Sequence, residues 1–76
     1  MFHGEQNVTI STPFIKLDSL LKLSGLCMTG GEAKILIAEE AVLVNGQICR
    51  QRGRKLVPGD RVECGGQHIV VTQDAP

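Results

Sequence analysis

An Asn-Gly dipeptide at positions 45–46, set between Val42-Leu43-Val44 and Gln47-Ile48-Cys49, constrains this chain more than any other feature. The type I′ two-residue hairpin loop needs positive φ at both central residues, and Asn-Gly supplies it at the least steric cost. Residues 41–44 and 47–49 therefore read as paired antiparallel strands. The pattern continues downstream. Pro58-Gly59-Asp60 is a turn, Arg61-Val62-Glu63-Cys64 alternates polar and apolar, Gly65-Gly66 is a second hairpin turn, and residues 67–72 form a last strand.

Upstream the period changes. Leu17, Leu20, Leu21 and Leu23 fall at helical spacing and predict a first helix over residues 18–24. Asp18 or Ser19 can cap its start, and Gly25 suits its left-handed stop. Thr29-Gly30-Gly31-Glu32 fits a capping box, and Ala33, Leu36, Ile37 and Ala38 carry a second helix to about residue 39. Residue 40, near the expected end of that helix, is Glu rather than Gly. Before the helices, residues 1–7 are polar, Val8-Thr9-Ile10 reads as a short strand, and Pro13 keeps residues 11–16 extended or in a turn. The expected fold is α+β, with two short N-terminal helices packed on a small twisted antiparallel sheet. Residues 15–73 form the single domain, residues 1–14 a flexible segment with room for one short strand, and residues 74–76 a tail.

The net charge is zero, with eight basic and eight acidic side chains, but it is unevenly spread. Residues 50–55 (Arg50-Gln51-Arg52-Gly53-Arg54-Lys55) hold four of the eight positive charges and no acid. Such a cluster is either a solvated edge with charges that deter aggregation or an anion-binding loop. With no Trp or Tyr and only two Phe, the composition argues against single-strand binding by stacked rings. No apolar run reaches membrane length, and Met1-Phe2-His3-Gly4-Glu5 lacks the basic start and apolar stretch of a signal peptide, so a cytoplasmic location is expected.

Cys27, Cys49 and Cys64 are odd in number and widely spaced, which fits small buried side chains rather than a disulfide framework. A zinc site would have to join Cys64 and His68, the one close Cys/His pair, with Cys27 and Cys49, and structural sites usually draw their ligands in two close pairs. No Ser or Cys has a base beside it, no pair of carboxylates marks a cleft, and the phosphate-binding Gly-x-x-x-x-Gly-Lys-Ser/Thr loop is missing. We expect no catalysis, no metal and no cofactor.

Leu17-Asp18, Leu21, Gly25, Thr29, Ala33, Leu36-Ile37, Val42-x-Val44-Asn45-Gly46 and Val57-x-Gly59-Asp60-x-Val62 together resemble the RNA-binding domain named after ribosomal small-subunit protein S-four, which carries the αL motif. The whole chain looks most like the small stand-alone bacterial members. The resemblance implies that the second helix and the loop after the hairpin face RNA. Residues 29–34 fall on the helix start and residues 50–55 on the basic loop. Elementary chemistry agrees. A helix start offers free amides and partial positive charge, Gly30 and Gly31 admit a close backbone, and Arg pairs bidentately with phosphate.

The expected contact set is Lys16, Lys22, Thr29, Gly30, Gly31, Lys34, Arg50, Arg52, Arg54 and Lys55. Each has a plainer reading: Thr29 as a cap, Lys34 as half of a helix-surface ion pair, the arginines as a solvated edge. Asp18 reads as a cap, Asp60 as a turn residue and His68 as a half-exposed strand residue. The implied partner is structured RNA, ribosomal or transfer, met by a monomer, with the ribosome as a setting. Four to six phosphate contacts would give a log–log salt slope of about −3 to −5. One alternative is a protein-interaction adaptor that turns the same loop on an acidic partner. Another is a sulfur-carrier-like β-grasp protein, suggested by Val42-x-Val44-Asn45-Gly46 and Gly65-Gly66.

Overall fold

A computed structural model describes residues 5–74. Seven strands and two helices follow in the order β1 (Glu5–Ile10), β2 (Ile15–Lys16), α1 (Leu17–Leu23), α2 (Gly30–Ala38), β3 (Val42–Val44), β4 (Gln47–Ile48), β5 (Lys55–Leu56), β6 (Arg61–Cys64) and β7 (Gln67–Gln73). The main sheet has the order β1-β7-β6-β3-β4, and β2 and β5 form a second, two-stranded sheet.

Period-two alternation builds the sheet's inner face. Val8, Ile10, Val42, Val44, Val62, Cys64, Ile69 and Val71 are all buried and belong to one core with Leu17, Leu20, Leu21, Ala33 and Ile37 of the helices. The hairpin turn between β3 and β4 has Asn45 at φ 51° and Gly46 at φ 85°, the double positive geometry that Asn-Gly favours. Asn45 also ties this turn to the next one. Its amide nitrogen Nδ2 donates to Asp60 Oδ1 at 3.1 Å and its Oδ1 accepts from the Arg61 amide at 2.9 Å, while Asp60 Oδ2 accepts from the Val57 amide at 2.9 Å. Asp60 is thus a turn residue, and His68 is a half-buried strand residue facing Glu63 across the ladder.

The sheet is mixed, not antiparallel. β1 runs parallel to β7 over six residue pairs, from Glu5 with His68 to Ile10 with Gln73. The short strand expected at Val8–Ile10 is present and begins earlier, at Glu5, so the expectation of a flexible segment is corrected for residues 5–7; residues 1–4 lie outside the described residues. Val8 and Ile10 point into the core, and Thr9 Oγ1 and Thr72 Oγ1 bond at 2.9 Å on the other face. Two strands consequently precede the helices. Gly65 and Gly66 sit in the β6–β7 turn, and β7 is flanked on both sides, so a free carboxylate at Gly66 would remove an inner strand; the sulfur-carrier alternative falls with it.

Both helices end in a Schellman motif, with the 6→1 and 5→2 bonds that satisfy the last carbonyls. In α1 the amides of Gly25 and Leu26 donate to Lys22 and Leu21, and Gly25 takes φ 87°. In α2 the amides of Glu40 and Ala41 donate to Ile37 and Leu36, and Glu40 holds φ 61°. A side chain there costs about 1–2 kcal/mol. Glycine would carry an entropic cost of about 0.5–1 kcal/mol instead. Glu40→Gly is expected to stabilise the fold by about 0.5 kcal/mol, read as a higher urea midpoint at unchanged slope.

The start of α1 departs from expectation. Its N-cap is Lys16, with no side-chain cap, and the Asp18 carboxylate accepts from the neighbouring Ser19 amide at 2.8 Å. For α2 the capping box holds with one shift. Thr29 Oγ1 accepts from the Glu32 amide at 3.2 Å, but Glu32 Oε1 reaches back to the amide of Met28, at 2.9 Å.

All three cysteines are free and buried, and no group of three metal-binding side chains comes together among the described residues. Burial pushes the thiols of Cys27 and Cys64 above their usual value, and the Glu32 carboxylate adds to the effect at Cys27. The folded chain holds these protons more tightly than the unfolded one. Their stabilising contribution is therefore complete below the usual thiol range and lost as pH rises through the raised values. Urea midpoints should fall more steeply between pH 8 and pH 11 for the natural chain than for a Cys27→Ala, Cys64→Ala double variant.

Candidate nucleic-acid interface

The basic loop hangs between two buried anchors, Cys49 and Leu56, and every residue from 50 to 55 is exposed. The Cys49 amide extends the hairpin by donating to Val42 at 3.0 Å, and the Arg54 amide closes a turn onto Gln51 at 3.1 Å. The loop is then stitched to the start of α1: the Leu17 amide donates to the Arg54 carbonyl at 2.9 Å and the Asp18 amide to the Arg52 carbonyl at 3.1 Å. These bonds replace the side-chain cap that α1 lacks. The loop's main chain is thereby fixed while its charged side chains extend into solvent.

Three further features shape the charge. Lys16 lies directly opposite Lys55 in the β2–β5 ladder, so two like charges stand side by side. Such pairs cost stability unless an anion bridges them. The Lys55 ammonium stands over the Phe14 ring, 4.9 Å from its centroid. Arg50 pairs with Glu40 on the exposed surface, so one guanidinium of the loop already has a carboxylate partner. Lys55 belongs to strand β5 rather than to the loop proper.

The expected contact residues fall into two groups. Lys16, Arg50, Arg52, Arg54 and Lys55 gather where α1 begins and, through the Arg50–Glu40 pair, where α2 ends. Lys22, Thr29, Gly30 and Gly31 lie where α1 ends and α2 begins, with Lys34 exposed one turn further along. The two groups are separated by about the length of α1, roughly 10 Å for seven residues. At the second group the cap takes up the Glu32 amide through Thr29 Oγ1 and the Ala33 amide through the Thr29 carbonyl, and a Cβ at Gly30 would meet no described atom within 4 Å beyond its chain neighbours and the helix's own backbone. The start of α2 is open to an incoming anion.

Phe14 was not legible as part of this surface. Composition counted its ring without placing it, and its one local cue is its position two residues before Lys16. A groove of about 290 Å³ beside α2 is lined by Leu26, Glu32, Ile35 and Leu36. Its one titratable group, Glu32, is already engaged in capping the helix.

The family model described as S4 domain matches residues 8–72. Over 59 residues the chain is 44% identical to the probable ribosome maturation protein RlbA of Bacillus subtilis, covering 78% of this chain and 83% of that protein. It is 39% identical over 59 residues to the putative RNA-binding protein YbcJ of Escherichia coli, covering 78% of this chain and 84% of that one. The solution structure of YbcJ, described as revealing an ALFAL motif involved in RNA-binding, superposes with a TM-score of 0.66 at 32% identity, covering 95% of this chain and 90% of that chain.

Proposed function

Because the chain belongs to the S4 domain family, we propose that it binds structured RNA, ribosomal or transfer, without chemistry of its own. The observation that carries this reading is the loop over residues 50–55, whose Arg52 and Arg54 carbonyls are held by α1 while the arginine side chains are exposed and Lys55 stands opposite Lys16. Duplex RNA is recognised largely by shape and by its phosphates and 2′-hydroxyls, a task suited to a rigid main chain carrying mobile cations. The open helix start of α2, roughly 10 Å away, supplies a second contact. The names of the two relatives, one a probable ribosome maturation protein and one a putative RNA-binding protein, support a role on ribosomal RNA. We further propose that the protein acts as a cytoplasmic monomer; no described helix is long and apolar enough to cross a membrane.

The test is fluorescence anisotropy with a structured ribosomal RNA hairpin, titrated from low to physiological salt. A log–log slope of about −3 to −5 is expected for four to six phosphate contacts. Absence of binding at every salt concentration sinks the reading and leaves the acidic-protein adaptor as the alternative. Glu40→Gly should also tighten RNA binding, by about two- to fivefold, because it removes an exposed carboxylate that competes for Arg50.

A further inference from the structure

Phe14 is a part-exposed aromatic residue outside the hydrophobic core. The core and the hydrophobic side chains packed against it are aliphatic residues and cysteines, and Phe14 is not among them. Its relative exposure is 37%, although burying a ring is among the largest apolar gains a small domain can make. Its position is nevertheless well defined: Pro13 precedes it, Thr12 Oγ1 donates to its carbonyl at 2.8 Å, and Ile15 next to it pairs with Leu56. One face of the ring is covered by the Lys55 ammonium, itself directly opposite Lys16.

We infer that Phe14 is a stacking platform for one unpaired nucleobase, so that the preferred RNA carries a bulge or loop nucleotide beside its duplex. The inference rests on the RNA-binding reading above and specifies its ligand. An exposed cation–π contact strengthens an interaction by only roughly two- to fivefold. Base–aromatic stacking contributes roughly 5- to 150-fold per base. A phosphate near Lys16 and Lys55 would draw the ammonium off the ring, relieve the repulsion between the two lysines, and leave the ring to the base attached to that backbone. A continuous duplex has no free base to offer, so it gains the phosphate contacts alone.

The experiment compares two RNA duplexes of equal length, one perfectly paired and one carrying a single unpaired adenosine. Both are titrated with the natural chain, with Phe14→Leu and with Phe14→Trp, after circular dichroism has verified each fold. The natural chain should prefer the bulged duplex by roughly 5- to 30-fold. Phe14→Leu should lose that preference while holding its affinity for the perfect duplex, and Phe14→Trp should keep or raise it. Lys55→Ala should weaken both affinities and leave their ratio intact. Equal affinity of the natural chain for the two duplexes, or a preference that survives in Phe14→Leu, overturns the inference alone. Failure to bind either duplex overturns the RNA-binding reading beneath it.

Discussion

Replacing Arg50, Arg52, Arg54 and Lys55 together by alanine is expected to weaken RNA binding on the order of 30- to 1,000-fold near physiological salt, at about 0.5–1 kcal/mol for each exposed side chain. The salt slope should flatten by about one for each phosphate no longer neutralised, from about −3 to −5 toward −1. The melting temperature should barely move. Three observations separate binding from folding here. All four side chains are exposed, the loop is anchored by Cys49 and Leu56, and the bonds that hold it use the carbonyls of Arg52 and Arg54. Alanine keeps every one of those groups. Anisotropy over a salt series, run beside a thermal melt, reads both quantities. An unchanged slope in a folded variant would mean that the RNA lies elsewhere, with the start of α2 as the remaining candidate.

Deleting residues 1–10 is expected to unfold the domain. The deletion removes Val8 and Ile10 from the core, each about 1.5–3 kcal/mol of burial. It also strips the ladder to β7 and leaves the Asp74 amide without the Ile10 carbonyl it donates to at 2.9 Å. A 76-residue domain has a total stability of only several kcal/mol, so a loss of about 3–6 kcal/mol is decisive. Circular dichroism should show no cooperative melt. A dispensable N-terminal arm would instead leave the melt where it was, and a Val8→Ala, Ile10→Ala double variant, which keeps the backbone, should lower it by an intermediate amount.

Much of the fold was readable because its signals are local. Asn45-Gly46 demanded its turn, Thr29 and Glu32 announced the start of α2, and Gly25 marked the end of α1. The parts that escaped are held by distant partners. Val8–Ile10 was read as a strand, but its extension back to Glu5 and its parallel pairing were not, because no turn announces a hairpin and the partner strand lies some sixty residues away. Strands β2 and β5 are two residues each, too short for alternation to register, and exist because the basic loop is drawn back to α1. The cap expected from Asp18 failed because the helix starts earlier: loop carbonyls take the amides of Leu17 and Asp18, Lys16 is the N-cap, and Asp18 falls inside the first turn. Glu40 adopts a backbone that propensity assigns to glycine, because the Schellman bonds fix the chain whichever residue stands there. The charges of the site were plain in the sequence. Their division between the two ends of the helix pair, and the ring of Phe14 among them, required the fold.

The stitching of the loop to α1 through main-chain atoms alone also bears on how such a surface can diverge. An architecture that recruits only carbonyls is indifferent to what the side chains become. Arg50, Arg52 and Arg54 can each be exchanged for another exposed side chain, singly and in any order, with every main-chain bond that holds the loop to α1 kept. Affinity can then drift or be tuned for a different RNA in steps of one charge, under selection that sees binding and is blind to stability.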